Sequence, residues 1–384
     1  MTPRKRLSGR RSGRRLPFGC ITGYHYNVDS ITHTITGAVI ARAVQDEKIG
    51  RWGTIAGVAA GIFPDTDFVF GLFSRQSHLE YHRAFTHSVI LLPFYALLFS
   101  WIFVALSRRR EFWGFYKICF LVLASHVLLD LFTSYGTMIL SPLSNRRFAW
   151  DITFIVDLIF SGIVVIPWVV SLFWKKKSRW ICRGALGLLF LYVILVGVQH
   201  HRALDLAKGF AESLNEEVVE VASLPQPLSP FRWANYIETR DRVYQGYVDL
   251  LGKNSARADN GGEEAKADPS LFLGRWRVMK ELYLPISKLQ YTAWQKRDGS
   301  PWVEKALATE GGKFYTWFAR FPIAKVADSD NGTHRVELTD VRFLMPTIRM
   351  PFMYTIEFDD SGRIVSEGFS GNRSNSGETK ASNH

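Results

Sequence analysis

The chain has 384 residues, 47% of them hydrophobic, and a formal net charge of +12, a length suited to about two domains. Seven Lys or Arg and no acid fall in the first fifteen residues. The remaining basic clusters, Arg108-Arg109-Arg110 and Lys175-Lys176-Lys177, sit between apolar runs, which speaks for membrane topology and against nucleic-acid binding. Three cysteines without close spacing, Cys20, Cys119 and Cys182, argue against a zinc-finger or disulfide framework.

Residues 1–27 are Arg-, Gly- and Ser-rich, with no periodic pattern and no apolar stretch fit for a signal peptide. They are expected to be a disordered tail or a mis-called start. Cap residues in Asp29-Ser30-Ile31-Thr32 precede His33 and a Gly/Ala-rich helix to about Val44. After a polar turn, a second small-residue helix runs over 52–63 and stops at Pro64. Neither comfortably spans the ~30 Å hydrocarbon core. A hairpin that enters the membrane and returns would bring His33 and Asp65 to one side. Runs of spanning length follow at 89–106, 112–132, 152–174 and 180–198. The basic loops 107–111 and 175–179 are expected to be cytoplasmic, and the loops 74–87 and 134–151 to face the opposite side. Arg146-Arg147 weakens that contrast, and the Arg-rich tail argues for a cytoplasmic N-terminus unless it is absent from the mature chain.

Beyond His200-His201 the sequence reads as soluble. An amphipathic helix is expected over 201–215, strands over 217–223 and 231–250, and a polar linker over 252–268. Alternation over 275–284, 313–326, 334–344, 352–358 and 364–369 has the period of half-buried strands, with Asp359-Asp360-Ser361-Gly362 as a hairpin turn and a frayed end over 370–384. The expected architecture is a polytopic α-helical membrane bundle over 28–200 followed by a soluble α+β domain with an antiparallel sheet over 201–384, on the same side as the polar groups described next.

Seven groups suited to a divalent metal lie within this apolar sequence: His33, Asp65, Asp67, His82, His87, His126 and Asp130. Ionisable side chains at membrane depth are costly and mark function by default. His126 and Asp130, four apart on a helix, share a face. Asp65 and Asp67 follow Pro64, where a loop could turn both toward one point. His82 and His87 flank a loop entering a helix, with Thr86 as a cap. Individually, each cluster also reads as ordinary packing or capping. Jointly, four unrelated polar clusters in one membrane region are harder to explain that way. Arg83, between two of the histidines, is a candidate to stabilise anionic charge, or equally a partner of Asp65 or Asp130. Ser134, Tyr135 and Ser144 are candidates to orient substrate, and Asp151 and Asp157 to support the ligands.

At these residues the chain resembles the membrane-bound metal-dependent hydrolase family, widespread in bacteria. The resemblance runs through Asp29-Ser30-Ile31-Thr32-His33, Phe63-Pro64-Asp65-x-Asp67, His82-Arg83-x-Phe85-Thr86-His87-Ser88, His126-x-x-x-Asp130, Thr133-Ser134-Tyr135-Gly136-Thr137 and Pro142-x-Ser144-x-Arg146-Arg147-Phe148-x-x-Asp151, ending near Asp157. One departure is Ala84, where the family usually has Gly. The resemblance implies a hydrolase with a divalent metal and an undefined substrate. The resulting expectation is a multi-pass protein of the bacterial inner membrane, in contact with the lipid bilayer. One or two ions, zinc or similar, would activate water near the outer face, and the C-terminal domain would be extracytoplasmic. A phosphoester or lipid-linked, phospholipid-like substrate fits that location. Two other readings are a transporter or metal carrier using the same groups as an ion path, and an envelope scaffold anchored by the helices.

Overall fold

The computed structural model describes residues 23–252, 281–328, 332–344 and 352–370. The expected basic tail through residue 22, nearly all of the expected linker, most of the strand expected at 275–284 and the end after residue 370 lie outside the described residues.

Helix α1 covers Gly23–Val44 and α2 covers Arg51–Ile62. The expected cap at Asp29-Ser30 is bypassed, because no Gly or Pro between 24 and 29 interrupts helical backbone. The two helices meet through glycine. A Cβ on Gly57 would stand 2.5 Å from Ala41 Cβ and 2.6 Å from Gly37 O, so only the missing side chains let the backbones approach this closely. A 3-10 helix, Pro64–Leu72, follows α2 at a bend of 42°, where the sequence suggested a loop. Next come α3 (Arg75–Tyr81), with Ser74 Oγ accepting from Ser77 N, and the short 3-10 turn Phe85–His87.

Helices α4 (Leu92–Ser107), α5 (Phe112–Phe132), α6 (Leu158–Phe173) and α7 (Ser178–Ser213) complete the helical region. Among the described residues, Phe112–Phe132 and Lys175–Ser213 are each long and apolar enough to cross a membrane. The number rises to 4 if the bent pairs Arg51–Ile62 with Pro64–Leu72 and Arg75–His87 with Leu92–Ser107 each form one span. This corrects the expectation of four uninterrupted runs. Helices α4 and α6 have 16 residues each, so each is about 24 Å long against ~30 Å of hydrocarbon. In the first run Ser88 Oγ accepts from Ile90 N and Leu91 N and turns the chain. In the other, residues 152–157 stay irregular until Asp157 Oδ1 caps α6 by accepting from Ile159 N and Phe160 N. Helix α7, by contrast, runs unbroken through His200-His201, merging an apolar run with the expected amphipathic helix, since 198–208 holds no Gly or Pro. Ala56, Ala60, Phe115 and Val122 are among the side chains of one helical core, and Cys119 and Cys182 are buried and unpaired. Trp101, Ile166, Phe173 and Phe190 are exposed, giving outward faces suited to lipid.

The C-terminal domain holds two sheets. In the first, β1 (Val218–Pro225), β2 (Arg232–Thr239) and β3 (Arg242–Asp249) are antiparallel; β4 (Leu284–Pro285, parallel) and β5 (Thr292–Gln295, antiparallel) also pair with β3. The second is an antiparallel meander of β6 (Pro322–Asp328), β7 (Thr333–Asp340), β8 (Tyr354–Asp359) and β9 (Ile364–Phe369). The β8–β9 turn uses Gly362 at φ +79, as its sequence implied. Helices α8 (Pro301–Ala308) and α9 (Glu310–Phe318) precede the second sheet. The strand expected from 313 is thus a helix as far as 318. Thr309 Oγ1 caps it at Gly312 N, and Tyr315 and Phe318, three apart, are buried with Val303 and Ala306.

The two parts are tied at the loop between α5 and α6 and at α3. Ala207 and Ala211 of α7 pack against Ile237 and Tyr244. Leu79 of α3 is buried among Val303, Tyr315 and Ile356. Arg320 donates to both carboxylate oxygens of Asp151 at 2.9 and 2.7 Å and pairs with Glu220 at 2.7 Å. Burial works against the Arg320 charge, but Asp151 and Glu220 outweigh it and hold the guanidinium above its ordinary pKa. Arg342 donates to Ser134 O at 2.9 Å.

Candidate metal centre

The glycine contact of α1 with α2 sets the geometry of the centre. It brings His33 on α1 beside α5, where its ring stacks on His126 at 4.0 Å between centroids. His33 Nε2 is 3.3 Å from Asp130 Oδ1. His126 Nδ1 donates to Gly61 O at 2.9 Å, which turns Nε2 inward. From there His126 Nε2 is 3.4 Å from Asp65 Oδ1 and 3.8 Å from Asp130 Oδ2. His87 Nε2 is 2.8 Å from Asp130 Oδ2 and 4.0 Å from Asp65 Oδ1. Two groups of donor atoms therefore lie within 4.8 Å of one another and could hold a metal ion: His33, His126 and Asp130, and Asp65, His87 and His126. All but Asp65 are fully or almost fully buried.

These residues fit a cation on chemical grounds. The Nε2 atoms of His87 and His126, and Asp65 Oδ2, are buried without a hydrogen bond. The Nδ1 of each of these histidines is engaged on its far side. Thr86 Oγ1 donates to Asp67 Oδ2 at 3.0 Å and lies 3.0 Å from His87 Nδ1, so the hydroxyl accepts from an Nδ1–H. Both imidazoles thereby direct Nε2 lone pairs at carboxylates, an arrangement that repels itself until a cation enters.

Asp67 and His82 are brought together, but not into either donor group. His82 Nδ1 meets Asp67 Oδ1 at 2.8 Å, and Asp67 Oδ2 accepts from Arg83 N at 2.8 Å. The expectation that Asp65 and Asp67 turn toward one point is corrected: in a 3-10 helix, with three residues per turn, side chains two apart point in different directions. Asp65 faces the histidine nitrogens and Asp67 organises the loop behind them. Arg83 is buried, with Nη2 2.9 Å from Asp130 Oδ1 and Nη1 donating to Thr133 Oγ1 at 2.8 Å. Its role as a partner of Asp130 is the one its contacts express. Arg83 also takes φ +60, held by its amide to Asp67 and by Met138 N donating to its carbonyl at 2.9 Å. Ala84 takes φ −99 and ψ −105, outside the main regions open to a residue with a Cβ, so the backbone here retains a conformation for which the Gly usual at this position is better suited.

Beside His33 a cleft opens between Thr32, Thr133, Thr153, Asp157 and Ser161. Asp157 accepts from Tyr192 OH at 2.6 Å as well as capping α6. Asp151 is turned away, toward Arg320. Ser144 Oγ accepts only from Arg146 N among the described contacts, at 3.2 Å. Outside the centre, His200 packs on Trp233 and His334 stacks on Trp302. Sequence reasoning gave no place to Gly61, placed Thr133 within the family motif without a role, and assigned Thr86 no role beyond a cap. The Gly53/Gly57/Gly61 spacing of four was the signal for a close helix contact at that point.

Residues 28–203 match the family described as YdjM inner membrane protein. The match includes every candidate ligand and ends within α7, ahead of the sheets. An uncharacterized protein of Bacillus subtilis (strain 168), YfhP, is 24% identical over 232 residues, covering 57% of this chain and 68% of that protein. No solved structure matches.

Proposed function

We propose that this chain is a divalent-metal-dependent hydrolase of a bacterial inner membrane, with His33, Asp65, His87, His126 and Asp130 as the ion's ligands. The observation that carries the proposal is the pair of buried Nε2 atoms of His87 and His126, each oriented from behind and lying 2.8 and 3.4 Å, respectively, from a carboxylate oxygen without a regular hydrogen bond. Because His126 belongs to both donor groups and Nε2 offers one lone pair, a single ion is the reading it supports. Zinc suits this mixture of imidazole and carboxylate. A bound divalent ion supplies Lewis-acid polarisation and lets water ionise near neutral pH.

The chain's own residues do the rest. Asp67 and Thr86 fix His87, Gly61 O fixes His126, and Arg83 holds Asp130. Asp65 Oδ2, without a hydrogen bond, is placed to accept a proton from water. A phosphoester or lipid-linked ester fits a centre flanked by outward apolar helices and by arginine. The basic loops at 108–110 and 175–177 lie at the far ends of α5 and α7, which favours an extracytoplasmic centre with the C-terminal domain above it. An ion path would string its groups along the helices, whereas these donors gather in one cluster.

Metal analysis of the detergent-purified protein tests the proposal. The expected result is one equivalent of metal, lost in His87→Ala and in His126→Ala, with a phosphoesterase activity that chelation removes and zinc restores. Unchanged metal content in both variants would sink the assignment.

A further inference from the structure

Arg147 lies in the loop between α5 and α6, on the side of the C-terminal domain. Its guanidinium carbon is 4.8 Å from the centroid of the Tyr135 ring and 5.4 Å from those of Trp317 and Phe318 on α9. Its Nε and Nη2 are buried and make no hydrogen bond, and among the described residues no carboxylate pairs with it. The Tyr135 hydroxyl, in the same loop, is buried and interacts with this guanidinium without reaching regular hydrogen-bond geometry, and Ser134 Oγ is buried without a hydrogen bond. Gly136, at φ +92, lets the chain fold over this arginine: a Cβ there would stand 3.1 Å from Arg147 Cβ.

A buried charge without a counter-charge is one of the costliest features a fold can carry. Aromatic faces offset part of that cost, but they offer no acceptor to in-plane N–H groups. Burial draws the guanidinium below its ordinary pKa with Tyr135 opposing, yet an arginine so shifted remains charged. Tyr135 also connects Arg147 to the metal centre. Arg83 lies 5.1 Å from the same ring and His82 5.4 Å. Of the two arginines on this ring, Arg83 has Asp130 as its partner; Arg147 has no carboxylate among the described residues.

We propose that Arg147 and the Tyr135 hydroxyl form a subsite for a phosphate-type oxyanion of the substrate, closed on one side by Trp317 and Phe318 of the C-terminal domain. The guanidinium fork matches two phosphate oxygens, and the hydroxyl donates to a third. The substrate role rests on the hydrolase reading; the anion binding does not require the metal.

The test uses full-length protein stripped of metal in a zwitterionic detergent, titrated with inorganic phosphate and, separately, with phosphatidylglycerol in mixed micelles. Saturable phosphate binding, weakened about tenfold or more in Arg147→Gln and less in Arg147→Lys, is the expected result. Arg147-dependent binding of phosphatidylglycerol alone would equally support the subsite and name a lipid headgroup as its source. No binding of either probe, or equal binding by Arg147→Gln, overturns it. If Arg147→Gln does not fold, Tyr135→Phe takes its place, with an expected loss of about threefold or more and an unchanged affinity as the refuting result. His126→Ala separates the two readings, since it should lose metal and keep phosphate binding. Phosphate binding by wild-type protein that takes up no metal would retain the subsite and refute the hydrolase. Metal uptake without Arg147-dependent anion binding would do the reverse.

Discussion

Replacing His82 and His126 by alanine should separate two layers that look alike in the sequence. His126 Nε2 is common to both donor groups, so His126→Ala removes a ligand and should leave protein that retains no zinc through gel filtration. His82 acts at one remove. Its Nδ1 is 2.8 Å from Asp67 Oδ1, and Asp67 Oδ2 takes the Thr86 hydroxyl at 3.0 Å, which in turn holds His87 Nδ1 at 3.0 Å. His82→Ala should therefore loosen His87 without removing a donor. Losing such an orienting partner weakens metal affinity about 10- to 100-fold, or about 1.4–2.7 kcal/mol, while stoichiometry stays at one. Zinc titration against a competing chelator measures both quantities. Loss of stoichiometric zinc in His82→Ala, with retention in His126→Ala, would refute the order of the layers.

Gly57→Val should force α1 from α2, costing about 1–3 kcal/mol as overpacking does, and should weaken zinc binding because His33 moves with α1; an unchanged Tm and zinc affinity would contradict the glycine contact. Asp157→Ala removes the acceptor for Ile159 N, Phe160 N and Tyr192 OH. It should lower stability by about 1–2 kcal/mol, read as a fall in Tm. Finally, a double-mutant cycle on Asp151→Asn and Arg320→Gln should give a coupling of about 1–3 kcal/mol. A coupling near zero would mean that this bidentate pair does not tie the C-terminal domain to the α5–α6 loop.

Much of this molecule follows from local pattern. Apolar runs with basic breaks, then alternation with period two, yield a helical region followed by antiparallel sheets, because hydropathy and side-chain period act over a few residues. Helix α5 is legible to both ends for the same reason, and His126 and Asp130 share a face wherever that helix lies. Residues 313–318 misled because Phe314, Tyr315, Trp317 and Phe318 are compatible with either period until a core exists to bury one face. Tertiary structure alone decided the rest. Asp65 and Asp67 differ by one residue between them, and only the 3-10 turn sends one to the histidines and the other to His82. The small residues of α2 are visible in sequence, but their partners Gly37 and Ala41 are not. Nor can a sequence show that Arg147 lacks a carboxylate among the described residues while Arg83 has Asp130, 47 positions along the chain. Whether a charge is paired is a property of contacts across the fold, and those contacts form only when distant segments are packed together.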